Sequence, residues 1–296
     1  MARILITGGG GFLGAWVVRR LVRDHHHIRI FDRAGQTTIV RDIAGPAADH
    51  VEWVKGDITD TAAVIDAAKQ CKAIIHLAAL LTPACQNDPI LGAQINLIGT
   101  LNVFEAAKNH QIQRVVYASS GAVFGPDDGS MPYPTTQYGA FKLACEGCAR
   151  AYWADARIAS IGFRPTVVYG PGRESGLTAG ITLACREAAA GRPYTIGFSG
   201  EQDFLFVGDA AAAFAAAAIR PFEGAHIFSM TGGTGHVQDV IAAIKAVIPD
   251  AAITSDGPPV AMASVITPTP YDSLLGPMPQ TSIKTGIAMT VAHYRG

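Results

Sequence analysis

Tyr138-Gly139-Ala140-Phe141-Lys142 places a phenol and an ammonium four residues apart. On a helix, residues i and i+4 share a face. Such a pair can move the proton of an alcohol. A group that does so works best with a pKa near the working pH, and an unassisted phenol, near 10, holds its proton too tightly. A unit positive charge roughly 4 Å away favours a phenolate by about 4 kcal/mol at an effective dielectric near 20. Both residue types are therefore needed, at this spacing. Ser119-Ser120 precede the pair. A hydroxyl there can hydrogen-bond a substrate oxygen beside Tyr138, or simply cap a turn.

The pattern Y-x-x-x-K is common by chance, so the elements around it matter. Arg3–Thr7 reads as a strand, followed by a helical stretch from Phe12 to Val22 and a strand Ile28–Asp32. Val51–Val54, a helix over Thr61–Lys69 and Ala73–Leu77 continue the alternation. Asp88-Pro89 supplies an N-cap and a proline at the first helical position, opening a helix to about Lys108. Arg114–Ala118, a helix over Gln137–Trp153 and Ile158–Phe163 follow. Short β-branched runs separated by helices predict right-handed crossovers and a buried parallel sheet, an α/β doubly wound (Rossmann-type) fold. The tyrosine helix then follows the fifth strand. After Pro165 glycine and proline become frequent, with helices expected near 177–190, 207–219 and 236–247 and a loop-rich stretch at 254–285. The expected division is a core over 1–165 and a smaller substrate-binding part over 166–296, interleaved with returns to the sheet.

Thr7-Gly8-Gly9-Gly10-Gly11-Phe12-Leu13-Gly14 joins the first strand to the first helix. Glycines there let the chain turn tightly and bring backbone N–H groups against a pyrophosphate at the helix N-terminus. Two frames fit: Gly8, Gly11 and Gly14, or Gly9, Gly11 and Gly14. Asp32 ends the second strand, where a carboxylate accepts hydrogen bonds from ribose hydroxyls and repels a 2′-phosphate. NAD is therefore expected rather than NADP. Arg33 beside it either stacks on adenine or meets such a phosphate. Asp57, before Ile58, lies where adenine would sit or caps a helix. Leu77-Ala78-Ala79 offers small residues along the dinucleotide's path. Asn96 interrupts an apolar helix; buried and unpaired it would cost about 1–3 kcal/mol, so it is expected to bond and hold a neighbouring loop.

Taken in this order, these motifs resemble the extended short-chain dehydrogenase/reductases, a group of NAD-dependent epimerases, dehydratases and dehydrogenases. Arg164-Pro165-x-x-Val168-Tyr169-Gly170-Pro171-Gly172 adds to the match, which is good to about residue 220. The resemblance implies that Tyr138 is the acid/base, Lys142 its electrostatic partner and a ribose ligand, and Ser120 the substrate-polarising hydroxyl, by counting back from Val123-Phe124-Gly125. It extends the cofactor site to Phe12, Leu13, Asn96, Pro165 and Val168. It also implies a homodimer, built on the small and apolar residues of 137–153. Departures matter too. Family dehydratases carry Asp-Glu where this chain has Gly121-Ala122, so dehydration is not expected. Nucleotide-sugar members place an arginine where Gln202 stands, which removes a charged clamp for a diphosphate. Arg173 and Arg192 are the remaining candidate anion ligands.

Composition bounds the partners. The 296 residues are 49% hydrophobic and 16% charged, with 23 Lys plus Arg against 24 Asp plus Glu, net −1. This is core-forming material with no basic excess for nucleic acid or a membrane surface, so a small-molecule substrate is expected. Apolar runs such as Ala210–Ile219 are too short to span a bilayer. Arg3–Thr7 already reads as a strand, so no signal peptide is expected. Five cysteines, an odd number, suggest reduced thiols in a cytoplasmic protein. His25-His26-His27 lacks a spacing that converges ligands, and no metal is expected. Cys145-x-x-Cys148 lies mid-helix and reads as packing. The favoured activity is a dehydrogenase that passes hydride from a secondary alcohol of a sugar, sugar acid or small hydroxy compound to NAD. An epimerase that retains its cofactor is the alternative, and an NAD-binding sensor without chemistry the third.

Overall fold

The computed structural model describes residues 2–126, 128–260 and 262–296. The first half alternates strictly: β1 (Arg3–Thr7), α1 (Phe12–Arg23), β2 (His27–Asp32), α2 (Thr38–Ala44), β3 (Glu52–Lys55), α3 (Thr61–Ala67) and β4 (Ala73–His76). Then come α4 (Thr82–Asn87), α5 (Pro89–Ala93), a π-helical turn Gln94–Ile98, α6 (Gly99–Asn109), β5 (Arg114–Ala118), α7 (Gln137–Ala156) and β6 (Ala159–Pro165). The remainder comprises β7 (Val167–Tyr169), α8 (Gly180–Ala189), β8 (Tyr194–Ile196), β9 (Glu201–Phe206), α9 (Val207–Ile219) and β10 (Ala225–Met230). It ends with β11 (Gly233–His236), α10 (Val237–Val247), β12 (Ile253–Ser255), α11 (Asp272–Leu275) and α12 (Ile283–Arg295).

Seven strands form one parallel sheet in the order β3-β2-β1-β4-β5-β6-β10. Ile4, Leu5 and Ile6 are all fully buried. Ile4 and Ile6 pack on one face with α1 and α9, and Leu5 on the other with α3, α6 and α7. Burial on both faces is why these strands read as unbroken apolar runs. Strand order reverses between β1 and β4, and a crevice opens at the carboxyl ends there, where open α/β sheets take ligands. β10 brings the later chain back to the edge beside β6, and β7, β9 and β11 form a separate small sheet.

Two helices lie where the sequence reading placed no element. Thr38-Ile39-Val40 has strand-like β-branching, yet α2 forms because Val40 and Ile43 bury on one face. The α12 helix packs Gly286, Ile287, Thr290 and Val291 inward. The helix opened by Asp88, whose carboxylate accepts from Leu91 N at 2.9 Å, runs as expected, passing through the π-helical turn without interruption. Its continuous run Pro89–Asn109 is long and apolar enough to cross a membrane, unlike the shorter run first considered, but half of it is buried inside the protein.

Candidate active site

The glycine turn is shaped by two close approaches. Gly8 has φ +69°, and a Cβ there would lie 2.5 Å from the Ala78 nitrogen. A Cβ at Gly14 would meet the Gly9 carbonyl at 2.5 Å. The backbone thus demands glycine at Gly8 and Gly14, whereas a Cβ at Gly11 would come no closer than 3.4 Å to the Gly8 carbonyl. Gly11 is the N-cap of α1 and brings no side chain to it, and the first turn holds no acidic residue. The opening N–H groups of this helix, including those of Phe12 and Leu13, are left for an anion. Asp32 secures the turn: its Oδ2 accepts from Gly10 N at 3.0 Å and its Oδ1 from Ala34 N at 3.0 Å.

Two adjoining cavities flank this turn. The smaller, about 280 Å³, is lined by Gly8, Gly11, Asp32, Arg33, Asp57, Ile58 and Ala78. The larger, about 660 Å³, is lined by Phe12, Leu13, Ser120, Tyr138, Lys142, Pro165 and Val168. Leu77 and Ala79 line both, so the cavities meet at the end of β4. Gly14 and Asn96 line neither. Asp57 accepts from Thr59 N at 2.9 Å and Thr59 Oγ1 at 2.8 Å, and these bonds, with Arg33 nearby, hold its carboxyl below the usual range. It does not cap α3; Asp60 does, accepting from Ala63 N at 3.0 Å.

On α7, Thr136 caps the helix by accepting from Gly139 N at 3.1 Å. One turn on, the Lys142 ammonium lies 5.7 Å from the centre of the Tyr138 ring. Lys142 is 2% exposed and fixed by donating to the Ala118 carbonyl at 2.7 Å. The two serines part ways. Ser119 donates to Glu146 Oε1 at 2.6 Å, and fully buried Glu146 also takes Arg164 in a fork at 2.8 and 2.6 Å. Ser120 accepts from Ala122 N at 3.1 Å, keeping its own proton available towards the cavity.

Other buried polar residues hold this end of the sheet. Asn96 Oδ1 accepts from Leu80 N and its Nδ2 donates to Leu80 O, both at 3.0 Å. It therefore holds the loop beside Ala79 rather than facing a ligand. His76, which sequence reading passed over, bridges Thr7 Oγ1 at 2.6 Å and Thr100 Oγ1 at 3.0 Å. Thr100 spends its proton on the Asn96 carbonyl at 2.6 Å, so His76 Nε2 must donate and its Nδ1 accept. Burial, with Lys142 nearby, pushes His76 down to about 3. The visible signal was a histidine ending an apolar strand. Glu146 was also missed, although it lies one turn beyond Lys142 on the same helical face.

The remaining candidates separate clearly. Gln202 is 1% exposed and lines neither cavity. Arg192 is exposed and paired with Glu187 at 2.5 Å. Arg173 lines the larger cavity. Gly121 and Ala122 occupy a tight turn; a Cβ on Gly121 would lie 2.9 Å from Ile266. His26 Nδ1 accepts from Ala2 N at 3.3 Å, and Cys145 donates to the Asn96 carbonyl at 3.3 Å.

A glycine cradle that a Cβ would fill, an uncapped helix start and an aspartate ending the second strand fit a dinucleotide. With the tyrosine and lysine beside it, fold and site define a nicotinamide-dependent enzyme of the extended short-chain dehydrogenase/reductase type. The chain belongs to the NAD dependent epimerase/dehydratase family, whose sequence model matches residues 4–230, and its cofactor is NAD. It is 31% identical over 312 residues to UDP-glucose 4-epimerase of Mycolicibacterium smegmatis, covering 99% of this chain and 98% of that protein. Over 183 residues, 57% of this chain and 52% of the other, it is 33% identical to 2-alkyl-3-oxoalkanoate reductase of Stenotrophomonas maltophilia. The crystal structure of Thermus thermophilus UDP-glucose 4-epimerase with NAD superposes with a TM-score of 0.83 at 26% identity, over 99% of both chains.

Proposed function

We propose that this enzyme oxidises a secondary alcohol of a sugar, sugar acid or small hydroxy compound, or reduces the matching ketone. One observation carries the proposal: Ser120, Tyr138 and Lys142 line one cavity, which adjoins the glycine cradle. The uncapped start of α1 would hold the pyrophosphate, Asp32 the adenosine ribose, and Lys142 the second ribose. NAD, when bound, supplies the hydride acceptor. Tyr138 Oη takes the hydroxyl proton as the carbinol becomes a carbonyl. Lys142 favours the phenolate that does this, and Ser120 Oγ donates to the substrate oxygen. General acid–base action of this kind contributes about 10²–10⁴-fold.

The test is a panel of aldonic acids, uronates, free sugars, amino alcohols and UDP-sugars, with absorbance of the reduced cofactor followed for NAD⁺ and NADP⁺ separately. Stoichiometric NADH supports the proposal; no reduction with any alcohol overturns it. A second reading, an epimerase that keeps its cofactor, is favoured by the relative in Mycolicibacterium smegmatis that matches across nearly the whole chain. Inversion of a UDP-sugar without net reduction would establish it. Elimination of water finds no carboxyl at Gly121 or Ala122. Five free thiols, four of them buried, support a cytoplasmic location. Exposed Ile90 and Ile98, on the helix packed against α7, support a homodimer that sedimentation would reveal as twice 31.0 kDa.

A further inference from the structure

Arg173 belongs to the segment Gly172–Thr178, all of which lines the larger cavity. Its guanidinium carbon lies 5.9 Å from the centre of the Phe12 ring. One Nη donates to the Val168 carbonyl and the other to Thr178 Oγ1 at 2.8 Å. Both acceptors are neutral, and no carboxylate pairs with this arginine among the described residues. Its neighbours differ: Arg164 has Glu146, Arg186 has Glu174 and Glu187, and Arg192 has Glu187. A guanidinium carries five N–H donors in a planar fork, and only part of this set is used.

Burial lowers Arg173 to about 10, so the cation persists at neutral pH. A half-buried charge without a counter-charge is costly, and an arriving anion offsets that cost. The fork matches a carboxylate or phosphate. Two other groups are already committed. Lys142 is fixed on the Ala118 carbonyl, and the start of α1 has its own free N–H groups for the cofactor's pyrophosphate.

We infer that Arg173 is the receptor for an anionic group of the substrate, and that the substrate is a monoanionic hydroxy compound. Its carboxylate docks on Arg173 while its hydroxyl meets Tyr138. This inference rests on the proposed alcohol oxidation and narrows its substrate class. A nucleotide diphosphate brings more charge than one guanidinium balances, and neutral Gln202 lies outside the cavity.

The test is calorimetric titration of the NADH complex with galacturonate, 3-hydroxybutyrate and inorganic phosphate, beside galactose and methyl 3-hydroxybutyrate. The unaltered protein is expected to prefer an anion over its neutral counterpart by about ten- to hundredfold. Arg173→Met should erase that preference and Arg173→Lys keep part of it, while NADH affinity stays within about threefold. Thr178→Val, which removes one support of the guanidinium, should weaken anion binding by a smaller factor and serves if Arg173→Met fails to fold. Lack of any anion preference in the unaltered complex overturns the inference. So does a loss of NADH affinity with the preference intact, which would assign Arg173 to the cofactor's phosphate. Because titration needs no turnover, anion binding without oxidation removes the alcohol-oxidation proposal alone. Turnover of neutral alcohols with no anion preference removes the Arg173 inference alone.

Discussion

The two walls of the cleft are built differently. The nucleotide wall is made of strand ends and helix starts: the β1–α1 turn, Asp32 at the end of β2, and Leu77 just past β4. The opposite wall comes from Gly172–Thr178 and from Val260 and Met262, outside any helix or strand. Strand ends are held by neighbours on both sides, so their geometry survives changes in the residues that surround them. Segments outside the sheet take their shape from a few side-chain bonds, such as Arg173 to Val168 and Thr178, and can change without disturbing the core. Under the proposed function, one wall would hold the cofactor and the other the substrate.

Four substitutions sharpen or break that contrast. Tyr138→Phe should lower kcat by about 10²–10⁴-fold while leaving NADH affinity unchanged in a fluorescence titration. Retained turnover would remove the phenol from the chemistry. Glu146→Leu leaves Arg164 without its carboxylate and frees Ser119; removing one partner of a buried pair costs about 3–5 kcal/mol. Urea denaturation should show that loss, and a change within experimental error would mean the pair does not anchor β5 and β6.

His76→Gln gives a smaller, pH-dependent effect. Folded His76 stays neutral to about pH 3, whereas its reference value is 6.5. The unfolded chain therefore binds the extra proton first as pH falls. Stability should drop through this window by up to about 1.4 kcal/mol per pH unit, and the slope should flatten in the variant. Lys142 is the charge that faces His76. Leu177→Ala, on the substrate wall, should change KM while shifting stability by less than about 0.5 kcal/mol, since Leu177 is 61% exposed. A large fall in melting temperature there would erase the distinction between the walls.

Much of the nucleotide wall was legible before any coordinates. Strand, glycines and helix occur in one short run, and Asp32 ends the next strand. Tyr138 and Lys142 share a face because helical spacing puts them there. The serines were different. Counting back from Val123-Phe124-Gly125 pointed to Ser120, but the physical reason lies 27 residues away, in Glu146 taking the Ser119 hydroxyl. Arg173 and Arg192 looked equivalent as letters; only the fold turned one into the cavity and left the other with Glu187.

By itself, then, the sequence determined the order of strands and helices in the first half, the phosphate turn, and the shared face of phenol and ammonium. Each depends on residues a few positions apart, where backbone sterics and helical periodicity decide. The fold alone decided which serine stays free, how His76 joins Thr7 to Thr100, and which arginine lines the cavity without a carboxylate partner. Those outcomes depend on partners far apart in the chain, and burial, not spacing, sets their chemistry.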